Sequence, residues 1–232
     1  MKPDIHYPVI KAPGDNIELR YSLRSLANVE HGNVYIVGYK PDWIKNVIHI
    51  PFTDRRPSGS NGFKNITAKE KLTCQASDAE YIVLMNDDIY INKKTEIGHY
   101  INGHIDDAIS WAVKRKRAGY IIQALQNLKS LFHDGLSAYV HVPHKVNRLK
   151  NLWVHKKYST RKDYFFTKDL YVNEYRSDYR WEKIDDLKIY NDPSRIKPTD
   201  RLFFSTGNVA ARHPDFITRM NALFPNKSKY EK

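Results

Sequence analysis

Residues 1–91 alternate short apolar runs with helix-patterned segments, and few architectures accommodate that alternation. The apolar runs are Ile5 to Ile10, "NVYIVG" (33–38), "VIHIP" (47–51) and "EYIVLM" (80–85), rich in the β-branched and aromatic residues that suit strands. After the first run, Leu19, Leu23 and Leu26 recur at helical spacing, and Asp15 with Glu18 is expected to cap that helix. After the third, a turn-rich loop from Phe52 to Phe63 leads into "NITAKEKLTCQAS", a second helical pattern. The order β-α-β-β-α-β predicts an α/β fold with a mixed, mostly parallel sheet flanked by helices. In such sheets ligands gather beyond the carboxyl ends of the strands.

The rest of the chain is less regular. Ile105 to Phe132 carries a helical pattern broken near Gly119, which predicts a helical hairpin, and "AYVHVPH" (138–144) predicts a strand entering a loop. "LFFS" (202–205) reads as a last strand, and Phe216, Ile217, Met220 and Leu223 as a helix after Pro214. A chain of 232 residues can bury one sizeable core, and a single domain is expected. Cys74, the only cysteine, excludes an intramolecular disulfide framework and any multi-cysteine metal site. With no N-terminal apolar segment of the secretory kind, that points to the cytoplasm. No run approaches the roughly 20 apolar residues of a membrane-spanning helix.

The apolar run at 80–85 ends abruptly in Asn86, Asp87 and Asp88 before Ile89, Tyr90 and Ile91 resume it. Adjacent carboxylates repel, so their place at a strand end calls for a partner, and a hard cation such as Mg²⁺ or Mn²⁺ bridging to substrate phosphates suits them. The competing explanation is a solvated hairpin turn, for which Asn and Asp are also favoured. The pairs Asp106 and Asp107, and Asp185 and Asp186, sit in helical or polar surroundings where solvent alone explains them. In "HVPH", His141 and, less so, His144 are candidates for a general base, because imidazole titrates near neutrality. "STGN" (205–208) follows an apolar strand and offers Asn208 to a polar ligand, acceptor or donor.

"VLMNDDIYI" (83–91) resembles the DxD-like metal segment of GT-A glycosyltransferases. "DNIELRYSLRSL", "VYIVGYKPDWI" and "YIVLMNDDIYI" are together similar to the second block of the Stealth family of hexose-1-phosphate transferases. "HVPHKV" resembles that family's third block and "FPNKSKYE" the ending of its fourth. The resemblance, firmest over 15–91, implies a GT-A-like, Rossmann-like catalytic domain spanning 1–232. Residues 1–91 would form its nucleotide-sugar-binding half and 92–232 an irregular, basic, acceptor-binding half. It implies that Asp87 and Asp88 hold Mn²⁺ or Mg²⁺ and the donor diphosphate, that Asn86 shapes the turn beside the donor, and that His141 is catalytic together with Asp88. Lys64 and Lys69 would then pair with donor phosphates, Asn65 would cap the helix that follows, and Arg20 and Arg24, four residues apart, would offer a further phosphate site.

Net charge enters last. The chain carries 38 Lys and Arg against 26 Asp and Glu, a formal +12, which favours a polyanionic partner. From Lys145 to Lys168 eight basic residues face a single acid, Asp163, interleaved with Trp153, Tyr158, Tyr164, Phe165 and Phe166, and "KRKR" (114–117) adds to them. Lys156, Lys157, Arg161 and Lys162 are therefore expected to hold an acceptor, either nucleic acid carrying a modified base or a cell-envelope polymer. Three functions stand on this sequence: a metal-dependent, nucleotide-sugar glycosyltransferase, a Stealth-type sugar-1-phosphate transferase, and a non-catalytic nucleic-acid-binding module.

Overall fold

A computed structural model describes residues 2–55, 60–138, 141–161, 165–184 and 187–232. In chain order it runs β1 (Asp4–Val9), α1 (Pro13–Ser25), β2 (Val34–Gly38), β3 (Ile48–Ile50), α2 (Ser60–Ala76), β4 (Tyr81–Leu84) and β5 (Ile89–Ile91). There follow β6 (Tyr100–Ile101), β7 (Gly103–His104), α3 (Ile105–Lys114), α4 (Gly119–Leu131), β8 (Leu136–Ser137), β9 (His144–Asn147), α5 (Arg148–Lys157) and α6 (Thr167–Glu174). The chain closes with β10 (Glu182–Lys183), β11 (Lys188–Ile189), β12 (Phe203–Thr206), α7 (Asn208–Arg212) and α8 (Asp215–Leu223).

The central sheet has the order β3-β2-β1-β4-β9. Its first four strands are parallel, and β9 returns antiparallel along β4 with Leu84 opposite His144. This is the mixed, mostly parallel sheet flanked by helices that the sequence predicts. Ile5, Tyr7 and Val9 of β1 pack with Leu19, Leu23 and Leu26, while Ile82 and Leu84 of β4 pack on the other face with Cys74, Val154 and Tyr171. Both faces are covered, so β1 and β4 read as continuous apolar runs rather than alternating ones. Each such side chain, fully buried, contributes roughly 1.5–3 kcal/mol. A second sheet, β11-β12-β5, receives the chain directly after Asp88, with Ser205 opposite Ile89. No helix among the described residues is long and apolar enough to cross a membrane.

Two local expectations fail for identifiable reasons. The Asp15–Glu18 cap does not form: Gly14, Asp15 and Asn16 hold φ of 67°, 55° and 57°, outside the helical region. Asn16 stabilises this left-handed turn by accepting from Ala12 N (3.2 Å) and donating to Ile10 O (2.7 Å), which Asn tolerates better than most residues. The strand expected over 138–144 instead begins at His144. Pro143 lacks a donor for a ladder, and beyond it His144 and Val146 are buried while Lys145 and Asn147 are half-buried. Tyr139 and Val140 of that expectation lie outside the described residues.

Candidate active site

The site is built where the chain passes from one sheet to the next. Met85 N donates to His6 O (2.9 Å), extending β4 by one bond, and Ile89 N donates to Asn86 O (3.2 Å), closing a tight turn that carries Asp87 and Asp88. Thr206 N then donates to Asp88 O (3.0 Å), fixing the turn to β12. Asp87 and Asp88 thus stand at the carboxyl end of a central strand, held by backbone bonds from three strands.

Three further elements converge on them. Lys188 of β11 donates from Nζ to Asp88 Oδ2, and His141 places Nδ1 3.7 Å from the same oxygen and 3.3 Å from the Lys188 ammonium. Glu18 of α1 accepts from the Thr206 hydroxyl (2.6 Å), which also meets Tyr90 OH at 3.0 Å. Asn208, first residue of α7, lines a small cavity with Glu18, Asp87, Asn16 and Arg212.

Burial, then the charges of Asp88 and Glu18, push the Asp87 carboxyl up to about 7. Burial also raises Glu18, against the hydrogen bond from Thr206. At Asp88 burial again opposes ionisation, but Lys188 and His141 outweigh it and hold its carboxyl below the usual range. The site is therefore rich in carboxylate that lacks a full complement of positive charge. Asp88 Oδ1, buried, has no hydrogen-bond partner. Those two features fit a divalent cation held by Asp87 and Asp88 with further oxygen ligands from a bound phosphate. Among the described residues no group of three or more His, Cys, Asp or Glu side chains is arranged to hold a metal unaided.

Of the other residues singled out in the sequence, Asn86 and His141 share the rim of a cavity described below. His144 is fully buried, its ring stacked on Trp181 and both nitrogens unpartnered, and burial holds it well below the ordinary imidazole range, a core role. Lys69 does not reach out to a phosphate: its ammonium is buried, donating to Val9 O (2.9 Å) and Asp54 Oδ2 (2.8 Å). It sits so close to Gly38, whose φ is +111°, that a Cβ there would lie 2.8 Å from Nζ and 2.2 Å from Val9 O. Asn65 lies inside α2 instead of capping it, because the helix begins at Ser60, and exchanges hydrogen bonds with the backbone of Arg55 (3.2 Å each). Arg20 and Arg24 do share a face, but it is closed by Glu231. Arg24 grips that carboxylate through two bonds (2.8 and 2.9 Å), while Arg20 lies 3.7 Å from it and stacks on Trp43. Lys64 is exposed on α2, at the edge of an aromatic cavity.

The basic stretch is also less bare than its sequence. Acids distant in the chain pair with it, Asp178 with Lys150 (2.6 Å) and Glu174 with Lys157 (2.6 Å). Lys156 is exposed, Arg161 lines the same aromatic cavity as Lys64, and Lys162 lies outside the described residues, as do Asp185 and Asp186. Lys188, Thr206 and the role of Glu18 are invisible locally. Lys188 sits in a two-residue strand within a charged segment, and only the pairing of β11 with β12 brings it to Asp88.

Compared with protein families and with curated proteins, the chain matches none. Among solved structures it is similar to the galactosyltransferase LgtC in complex with donor and acceptor sugar analogs, at 10% identity over 99% of this chain and 98% of that one, TM-score 0.49. It is also similar to the 2-C-methyl-D-erythritol 4-phosphate cytidylyltransferase of Thermus thermophilus, at 9% identity over 97% and 100%, TM-score 0.43. Mouse xyloside xylosyltransferase 1 aligns at 9% identity over 89% and 97%, TM-score 0.40.

Proposed function

We propose that this chain is a metal-dependent glycosyltransferase of GT-A type, moving a sugar from a nucleotide-sugar donor to a hydroxyl acceptor. The observation that carries the proposal is the crowding of Asp87, Asp88 and Glu18 at the carboxyl end of β4. There Asp88 Oδ1 is buried without a hydrogen-bond partner, and Asp87, crowded by Asp88 and Glu18, is pushed up to about 7, an arrangement that a cation and a diphosphate would complete. When bound, a divalent cation supplies Lewis-acid stabilisation of the charge that develops on the diphosphate leaving group. Asp87 and Asp88 hold the donor end of the site, with Lys188 adding positive charge at the same carboxylate. His141 takes the proton from the acceptor hydroxyl as its oxygen bonds to the anomeric carbon and the bond from that carbon to the donor phosphate breaks. Asp88, 3.7 Å from Nδ1, steadies the imidazolium so formed.

On this reading the whole chain acts as one catalytic domain, and the exposed Lys156 and the neighbouring Arg161 meet a polyanionic acceptor, nucleic acid or an anionic polymer. The similarity of 15–91 to the Stealth pattern supports a second reading, transfer of a sugar 1-phosphate, in which a different bond of the same donor breaks. Incubation with a panel of nucleotide sugars and Mn²⁺, with mass spectrometry of the nucleotide released, separates them. A nucleoside diphosphate identifies glycosyl transfer and a nucleoside monophosphate identifies sugar-phosphate transfer. Release of neither leaves the non-catalytic binding module.

A further inference from the structure

Beside His141 a cavity of about 320 Å³ opens between α2, α4 and α6, with Asn86 and His141 on its rim. Phe63, Tyr120, Phe165 and Phe166 wall it, the Phe63 ring centre lying 4.8 Å from that of Phe166 and 5.4 Å from that of Tyr120, and each of the four is only half-buried. The opposite character comes from Glu70, Thr67, Thr167 and Lys168. A second chamber of about 350 Å³ shares Phe63, Thr67, Tyr120, Phe165, Phe166 and Thr167 and continues outward to Lys64, Tyr158 and Arg161. Each volume is near the lower end of the roughly 300–1,000 Å³ of ligand pockets, which suits a single ring per chamber.

Glu70 makes this slot selective. Its side chain is 5% exposed, anchored by a bond from Asn151 Nδ2 to Oε1 (2.7 Å) with His155 Nε2 3.4 Å from the same oxygen. Burial opposes ionisation there, but His155, Asn151 and His6 outweigh it and hold the carboxyl below its usual range. An ionised, buried carboxylate accepts hydrogen bonds and cannot donate them, so it favours hydroxyls, while Arg117 and Lys168 add positive charge to the same lining. Flat aromatic walls favour a ring with an apolar face.

We propose that this two-chamber slot is the acceptor subsite and that it binds the terminal sugar rings of the acceptor, whose anionic portion lies farther out along the basic surface. The terminal pyranose lies against Phe63 and Phe166 with its hydroxyls toward Glu70 and Thr167, and the next ring occupies the outer chamber. The proposal rests on the glycosyltransferase reading and deepens it, because His141 belongs both to the slot and to the Asp88 ion pair.

Saturation-transfer NMR on the full chain tests it, using methyl glycosides of cellobiose, maltose and lactose and, separately, a short single-stranded oligodeoxynucleotide. At least one disaccharide should receive saturation on its ring protons from the wild-type protein. Tyr120→Ala should weaken its binding about tenfold, the loss of one ring contact. Thr167→Val, a smaller change, gives the same direction should Tyr120→Ala fail to fold. The proposal is overturned if no disaccharide binds, if binding is equal in wild type and variants, or if the oligonucleotide alone binds and is lost in the same variants. Binding of a panel of nucleoside diphosphates with Mg²⁺ by the wild-type protein, read in the same way, is scored separately. Its absence removes the glycosyltransferase reading, whereas its presence without glycoside binding removes only the slot.

Discussion

Lys188 Nζ donates to Asp88 Oδ2, joining β11 to the turn between β4 and β5. An ammonium therefore stands at the carboxylate where the proposed cation would bind. Removing it in Lys188→Met leaves a partly buried acid short of its main counter-charge, so the metal-free protein should lose about 1–3 kcal/mol of stability. Mn²⁺ should restore more stability to this variant than it adds to wild type. Thermal unfolding with and without Mn²⁺ measures both, and equal Mn²⁺ shifts would remove the cation from Asp88.

Asp87→Asn and Asp88→Asn keep shape while discarding charge. Each should lower donor turnover at least about 100-fold, equivalent to about 2.7 kcal/mol of transition-state stabilisation. The Mn²⁺-dependent rise in melting temperature should disappear with it. Full turnover of Asp88→Asn in the presence of a chelator would reduce "NDD" to a turn.

The clasp of Arg24 on Glu231 predicts a purely structural role for Arg20 and Arg24. Glu231→Gln should cost about 1–3 kcal/mol in chemical denaturation while leaving the KM for the donor unchanged. A raised donor KM with unaltered stability would return those arginines to the phosphate.

Asp169 is buried, accepting from Ala138 N and, at 3.4 Å, from the Ser137 hydroxyl, and burial pushes its carboxyl up to about 7. An acid raised in the fold binds its proton more tightly folded than unfolded, so its ionisation destabilises the protein as pH rises from about 4 to about 7. Asp169→Asn should therefore gain about 2–3 kcal/mol relative to wild type between pH 5 and pH 8. A relative stability independent of pH would show that Asp169 is ionised without cost.

Lys156 and Arg161 bear on the acceptor. Their joint neutralisation to Ala should weaken binding of an anionic polymer and reduce the slope of its affinity against salt by about 1–2. An unchanged slope would make them a solvated face.

Much of the sheet is readable because its causes are local. The apolar runs of β1, β2 and β4 announce strands buried on both faces, and the abrupt "NDD" marks where β4 stops. What escapes depends on contacts between distant segments. Arg20, Arg24 and Lys69 look like free cations until Glu231, Asp54 and Val9 O close on them. Asp15 looks like a cap because a capping pattern cannot reveal that Asn16 prefers to bond backwards to Ile10 and Ala12. Lys188 carries no signal at all in its own neighbourhood.

During synthesis the Asp87–Asp88 turn leaves the ribosome well before β9, Lys188 or Thr206. At that stage β4 can pair with β1 but its other edge is open, and Asp88 has not yet met Lys188. Because β9 must return to flank β4 and β12 must return to pair with β5, a polypeptide ending before β12 lacks the bond from Thr206 that fixes the Asp88 turn.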